Sequence, residues 1–132
     1  MKNREIKFRL WDKRLDRQSG KPLGYQNYAY VEGNLNDELK NYSESWEYQQ
    51  FTGVLDKNKK DIYEGDIVKC ITGGAEFILE VEPMHGGAFW LKGKMLNDKI
   101  NPNGKVSFPL LQTYSAELKV LGNVFENPEL LK

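Results

Sequence analysis

Residues 51–69 constrain the fold more than any other part of the sequence. In the run FTGVLDKNKKDIYEGDIVK, β-favouring residues flank two sets of turn residues, Asp56–Lys59 and Glu64–Asp66. This pattern predicts a strand, a tight turn, a second strand, a bend and a third strand. At the tight turn, either Asn58 or Lys59 is expected to take left-handed backbone, which costs a lysine roughly 1 kcal/mol.

Further short segments along the chain follow the same design. Arg4–Trp11 and Glu76–Glu82 alternate apolar and polar residues with a period of two, which is typical of half-buried strands. Many short strands separated by turns predict a small barrel or sandwich. Strands are also predicted at four segments rich in aromatic or β-branched residues: Tyr25–Val31, Asp66–Thr72, Ala88–Lys92 and Leu118–Phe125.

Two places favour helical backbone instead. Leu35, Leu39 and Tyr42 have the spacing of one helical face and predict a short helix. Near the end of the chain, Asn127 before Pro128 predicts a helical turn capped by the asparagine. One core is expected to gather apolar residues from neighbouring strands: Ile67, Val68, Phe77, Leu79, Val81, Phe89, Val120 and Val124.

The composition fits one globular domain. The chain has 132 residues, of which 39% are hydrophobic, enough to bury a core without disulfides. It has no apolar run long enough to span a membrane, and no apolar stretch behind Met1 of the kind found in secretory signals. Because Cys70 is the single cysteine, no internal disulfide can form, and we expect a reducing cytoplasm.

The formal net charge is zero, but its distribution is uneven. Residues 1–21 carry a net charge of +5, and residues 32–50 carry −4. This asymmetry favours docking of the two segments on each other, on a second copy or on separate partners. Aromatic rings beside basic side chains can also stack on nucleic-acid bases. The candidate partner-binding residues combine both features: Lys7, Arg9, Trp11, Lys13 and Arg14.

Residues able to carry out chemistry are few. His85 is the only histidine, so a zinc site of the usual kind cannot form, and a Cys70–His85 dyad is the one nucleophilic pair that we consider. Four carboxylates lie at or near the two turns: Asp56, Asp61, Glu64 and Asp66. They could hold a hard cation, but carboxylates at turns commonly accept bonds from local amides. We therefore predict no catalytic residues, no metal and no cofactor.

Three blocks of the sequence, taken together, resemble the YopX family of phage and prophage proteins. The blocks are Glu5–Asp12, Phe51–Lys69 and Val120–Leu131. The tight turn departs from the family pattern, because relatives usually have Asn-Gly where this chain has Asn58-Lys59. The resemblance implies a small, mainly β protein of unassigned role, and it offers no catalytic residues to carry over.

The resemblance also implies an architecture. It favours an SH3-like barrel over residues 51–132, which agrees with the order of strands and turns from Phe51 onward. Residues 1–50 would form an N-terminal β extension with one short helix, packing on the barrel. Because no linker rich in Gly, Ser or Pro separates the two parts, we expect residues 1–132 to form a single domain.

The sequence favours binding over catalysis. Our interpretation is a non-catalytic phage or prophage accessory protein, located in the cytoplasm of a bacterial host, that binds a protein partner or copies of itself. The first alternative is a nucleic-acid-binding module that uses the basic N-terminal face. The second, ranked last, is a small metal-dependent enzyme that uses the acidic bend. No membrane partner is expected.

Overall fold

Strands dominate the computed structural model, which describes residues 8–26, 46–83, 88–97, 99–100, 104–110 and 117–132. The predicted mainly β fold is confirmed. The short helix predicted around Leu35–Tyr42 lies outside the described residues. The strands are β1 (Phe8–Leu15), β2 (Pro22–Gln26), β3 (Trp46–Leu55), β4 (Asp61–Tyr63), β5 (Asp66–Thr72), β6 (Ala75–Pro83), β7 (Phe89–Met95), β8 (Lys105–Pro109) and β9 (Leu118–Asn123).

The chain divides into two compact units, residues 1–51 and residues 52–132. We call them the N-terminal unit and the C-terminal unit. Their boundary falls where the extension was expected to end, and β3 runs through it. That all 132 residues fold as a single domain stays a prediction.

The N-terminal unit has β1 between β2 and β3, antiparallel to both. The turn from β1 to β2 forms because the Asp16 carboxylate accepts bonds from the backbone N–H groups of Gln18 and Ser19, at 2.8 and 2.9 Å. Short polar residues that bond the backbone in this way stabilise tight turns. Beyond the unit boundary, β3 is hydrogen-bonded to β4, which gives the strand order β2-β1-β3-β4.

The C-terminal unit contains a five-stranded sheet in the order β8-β7-β6-β5-β9. Strands β5 to β8 form an antiparallel meander, and β9 returns to pair with β5. The predicted bend before β5 forms because the buried Asp66 carboxylate accepts a bond from the Tyr63 N–H at 2.8 Å. A meander whose last strand returns beside its first supports an SH3-like arrangement, but closure into a barrel stays a prediction.

One face of this sheet carries the hydrophobic core of the C-terminal unit. Leu79 is fully buried, as alternation along β6 predicts. The core contains nine buried residues: Val54, Ile62, Val68, Cys70, Leu79, Val81, Phe89, Leu91 and Leu118. Phe77 and Val120 pack against it while partly exposed.

Two residues predicted for this core are not part of it. Ile67 is fully buried but lies outside the cluster. It precedes Val68 on β5, and successive side chains on a strand point to opposite faces, so both could not face the same core. Val124 lies beyond the end of β9 and is half-buried outside the cluster.

The hairpin between β3 and β4 turns on Asp56. The Asp56 carboxylate accepts bonds from the N–H groups of Asn58 and Lys60, at 2.8 and 2.9 Å. Its second oxygen accepts a bond from the Val120 N–H at 3.0 Å, which fixes the turn against β9. Lys59 has a φ of 65°, so of the two alternatives for the left-handed position, Lys59 takes it.

Candidate binding face of the C-terminal unit

The side of the five-stranded sheet opposite the core is the outer face. On β6, Leu79 and Val81 point into the core, so Ile78, Glu80 and Glu82 point to the outer face. The same alternation assigns polar residues of the other strands to this face: Lys69 on β5, Lys92 and Lys94 on β7, Lys105 and Ser107 on β8, and Lys119 on β9.

A groove of about 820 Å³ runs over the outer face of β6, β7 and β8. Its apolar side chains are those of Ile78 and Leu131, since the Val106 side chain packs against the core, and its charged part contains two glutamates and four lysines. The lining is Ile78, Glu80, Glu82, Lys92, Gly93, Lys94, Lys105, Val106, Ser107, Leu131 and Lys132. An apolar hollow bordered by charges is typical of a binding site.

The two glutamates of the groove interact with each other and with Lys92. Glu82 forms an ion pair with Lys92 at 3.0 Å, and Glu80 lies directly opposite Lys92 across the β6–β7 pair. Burial raises the pKa of Glu80, as do the charge and hydrogen bond of Glu82, whereas the charge of Lys92 lowers it. The two glutamates therefore differ in their surroundings: burial acts mainly on Glu80, while Glu82 is paired with a cation.

The C-terminal turn, a 3₁₀ helix at Pro128–Leu131, forms one wall of the groove. The turn predicted after Asn127 is confirmed, but the Asn127 side chain does not cap it. Its oxygen instead accepts a bond from the Asn123 N–H at 3.3 Å. A Cβ atom at Gly122 would overlap the Asn127 side chain, so the glycine lets the chain fold back this closely.

The groove wall is also fixed at its far end. The Lys94 ammonium donates a hydrogen bond to the Lys132 carbonyl oxygen at 2.8 Å. At the near end, the Asn123 side-chain oxygen accepts bonds from the N–H groups of Phe125 and Glu126, at 3.0 and 2.9 Å. One wall of the groove is thus a short segment of the chain itself, bonded to the sheet through Lys94.

A second, smaller hollow of about 290 Å³ lies towards the β9 side of the sheet. Ile71, which is 47% exposed, and Leu121 supply its apolar surface. Glu117 accepts a bond from the Thr72 hydroxyl at 3.0 Å. The remaining residues of this hollow are three lysines: Lys57, Lys69 and Lys119.

Two of the four predicted turn carboxylates, Asp56 and Asp66, are buried and accept hydrogen bonds from backbone N–H groups. Burial acts to raise the pKa of Asp56, but bonds from the N–H groups of Val120, Lys60 and Asn58 outweigh it, so the pKa lies below its usual range. Asp66 is likewise buried and bonded to the Tyr63 N–H. Within the described part of the chain, no three His, Cys, Asp or Glu side chains are grouped as metal ligands.

Of the predicted basic face, Lys7 lies outside the described residues. Arg9 is half-buried and donates a bond from its Nε to the Gln49 side-chain oxygen at 2.7 Å. Trp11 is only 8% exposed. A buried ring offers no open surface on which a base could stack.

The other two residues of that face form ion pairs within the N-terminal unit. Lys13 contacts Glu47 at 2.6 Å, and Arg14 contacts the fully buried Asp12 at 2.7 Å. The hydrogen bonds that Arg14 donates to Asp12, followed by the charge of Asp12, raise the pKa of Arg14. Partner binding through this face stays a prediction. The charges of Lys13 and Arg14 already have partners within the unit.

The single cysteine lies in the core. Cys70 is fully buried in β5, and burial, followed by the charge of Glu117, raises the pKa of its thiol. A raised pKa keeps the thiol protonated and poorly nucleophilic. His85, its partner in the dyad that we considered, lies outside the described residues.

A comparison of the sequence with models of known protein families identifies the family of this chain. A family model described as YopX protein matches residues 7–132. The chain belongs to the YopX family. This YopX family member is similar to protein EF1440 from Enterococcus faecalis, whose crystal structure matches with a TM-score of 0.54 and 21% sequence identity. The match covers 98% of this chain and 100% of that chain, and it shows a shared fold.

No curated protein matches this YopX family member. No helix among the described residues is long and apolar enough to cross a membrane. The groove itself was missed in the sequence, although alternation along β6 and β7 marks Glu80, Glu82, Lys92 and Lys94 as outward-facing. The sequence does not show which strands lie side by side. These residues form a groove only because β6, β7 and β8 are neighbours in the sheet.

Proposed function

We propose that this YopX family member is a non-catalytic binding protein that recognises a protein partner through the groove on the outer face. The phage or prophage setting and the bacterial cytoplasm belong to the same proposal, and the family resemblance supports them. The groove carries the argument because it combines an apolar floor, a charged border and a volume of about 820 Å³.

The chain's own C-terminal turn supports a polypeptide as the kind of ligand. Leu131 lines the groove beside Ile78, and the Lys132 carbonyl oxygen accepts the bond from Lys94. These are an apolar contact and a backbone contact, the two that an extended peptide can make repeatedly. Since these groove residues already bind the C-terminal turn, they have the chemistry to bind a second peptide segment beside it.

The bonds made by three of the carboxylates, Asp56, Asp66 and Glu82, support a structural role for them rather than a catalytic one. Asp56 and Asp66 bond backbone amides, and Glu82 pairs with Lys92. Catalytic acids and bases need pKa values suited to proton transfer, and they must reach the substrate. A carboxylate held by several amides below its usual pKa, as Asp56 is, serves structure instead.

Substitutions in the groove test this function. Ile78→Glu places a charge on the apolar floor, whereas Leu15→Glu makes the same change at a side chain of β1 that is 63% exposed. Both variants and the unchanged protein would be used to capture proteins from the bacterium that carries the gene, after nuclease treatment. We expect a protein that the unchanged chain and Leu15→Glu retain and Ile78→Glu loses.

Two outcomes contradict the proposal. A partner retained equally by both variants would place binding elsewhere on the molecule. Loss of the captured material on nuclease treatment would favour the nucleic-acid alternative. Sedimentation of the purified chain distinguishes a separate partner from self-association. If the groove binds a second copy, the unchanged protein should be oligomeric and Ile78→Glu should be monomeric.

A further inference from the structure

The outer face carries a row of four lysines and one isoleucine that crosses all five strands of the sheet. The strand registers pair Lys69 with Lys119 and with Ile78, then Ile78 with Lys94, and Lys94 with Lys105. Directly paired residues point to the same face, so these side chains form one line. With strands about 4.8 Å apart, the line is about 19 Å long. We call it the lysine row: Lys119, Lys69, Ile78, Lys94 and Lys105.

The lysine row is electrostatically unfavourable in the free protein. Like charges directly opposite each other on neighbouring strands destabilise a sheet, and here this occurs twice, at Lys69–Lys119 and at Lys94–Lys105. Lys69 is 3.8 Å from Glu76, and Lys94 reaches the Lys132 carbonyl. Lys105 and Lys119, at the ends of the row, have no ion pair among the described residues. An anion lying along the row would relieve this repulsion.

The residues in and beside the lysine row favour a polypeptide over a nucleic acid. Bases need aromatic rings for stacking, whereas the row has Ile78 at its centre and the aliphatic residues Ile71 and Leu121 beside one end. Each end of the row opens into one of the two hollows described above. Carboxylates would meet the lysines, and apolar side chains would meet the aliphatic surface.

We propose that the lysine row binds an extended acidic segment of a partner protein, with carboxylates at the two ends of the row and apolar side chains over Ile78. This inference rests on the proposed function and names the chemistry of the partner. The occupant lies across the strands, over the face of the sheet. The expected length is about six residues, because an extended chain advances about 3.3 Å per residue.

Peptide binding tests this proposal directly. The probe is a fluorescein-labelled peptide, Glu-Glu-Leu-Leu-Glu-Glu, and the matched probes are Gln-Gln-Leu-Leu-Gln-Gln and a labelled ten-nucleotide oligothymidine. Binding is measured by fluorescence anisotropy at two salt concentrations. We expect the acidic peptide to bind, to weaken with salt because exposed charges are screened, and to bind more tightly than either matched probe.

Charge reversal at the ends of the row provides the decisive variant. Lys105→Glu with Lys119→Glu should weaken binding of the acidic peptide at least about tenfold, the equivalent of losing one charge pair. Lys21→Glu with Lys99→Glu makes the same change in net charge at two exposed lysines that are not part of the row and should weaken binding less than about twofold. Thermal unfolding checks both variants, and the row variant should not be less stable, since it removes like-charge pairs.

The outcomes separate this inference from the proposed function. Equal binding by the row variant and the control would overturn the lysine row, as would tighter binding of oligothymidine than of the acidic peptide. If the acidic peptide does not bind but a partner is still lost in Ile78→Glu, the groove function holds and the acidic segment is wrong. If neither result appears, both proposals fail.

Discussion

Lys59 holds a backbone conformation that its side chain makes unfavourable. Its φ of 65° lies in the left-handed region, where a Cβ atom crowds the following carbonyl. Lys59→Gly should therefore stabilise the protein by up to about 1 kcal/mol, reduced by the extra freedom that glycine has in the unfolded chain. Urea unfolding measures the change. Lys57→Gly, at an exposed residue of the same turn without positive φ, is expected to lower stability.

Asp56 is the residue on which the stability of the hairpin depends most. It bonds three backbone N–H groups, one of them from β9. Asp56→Ala should cost about 3 kcal/mol at neutral pH, because it removes a charged acceptor and leaves several amides without a partner. Asp16→Ala is the matched control, since Asp16 makes the same kind of turn with two exposed hydrogen bonds, and the loss of stability there should be much smaller.

The effect of Asp56 depends on pH in a defined direction. Its folded-state pKa is lowered, so its contribution is present above the unfolded-state pKa of about 3.9 and is lost as the pH falls through the folded-state pKa. The stability difference between the unchanged protein and Asp56→Ala should therefore shrink between pH 5 and pH 2, approximately. A difference that stays constant over this range would show that the charge of Asp56 is not what the amides recognise.

At the scale of elements, Gly93 sets how closely β6 and β7 approach. A Cβ atom there would overlap the Ile78 carbonyl oxygen and lie 2.9 Å from the Leu79 Cα atom. Gly93→Ala should force the two strands apart and cost about 3 kcal/mol or more. Gly74→Ala, where an added Cβ has nothing within 4 Å, should cost only the backbone strain of about 1 kcal/mol. Equal losses in urea unfolding would show that strain, not crowding, governs both sites.

Alternation predicted the faces of individual strands but not their neighbours. On β6 the inward residues Phe77, Leu79 and Val81 followed from the sequence, because a period of two is a local property. The prediction failed at Ile67 but not at its neighbour Val68, because a continuous apolar run hides which residues face the core. The groove and the lysine row depend on register between strands far apart in the chain, as for Lys69 and Lys119. No local pattern encodes that register.

At the scale of the whole molecule, the expected single domain predicts one unfolding transition. Trp90→Phe leaves Trp11 and Trp46 as fluorescent probes of the N-terminal unit, while the buried Cys70 reports on the C-terminal unit through its reaction with a thiol reagent. In urea, both probes of this one variant should give the same midpoint, since a two-state domain unfolds as a whole. Two separate midpoints would show that the two units unfold independently.

The hairpin at Asp56 also closes one border of the five-stranded sheet. Its backbone and carboxylate occupy groups of β9 that would otherwise face outward, since Lys57 donates to the Leu118 carbonyl and Val120 donates to Asp56. At the opposite border, β8 has a charged Lys105 and a Pro109 that lacks an N–H group. Open strand edges recruit further strands and start aggregates, and charge, proline and covering segments prevent this. We therefore expect both borders of the sheet to resist edge-to-edge polymerisation at high concentration.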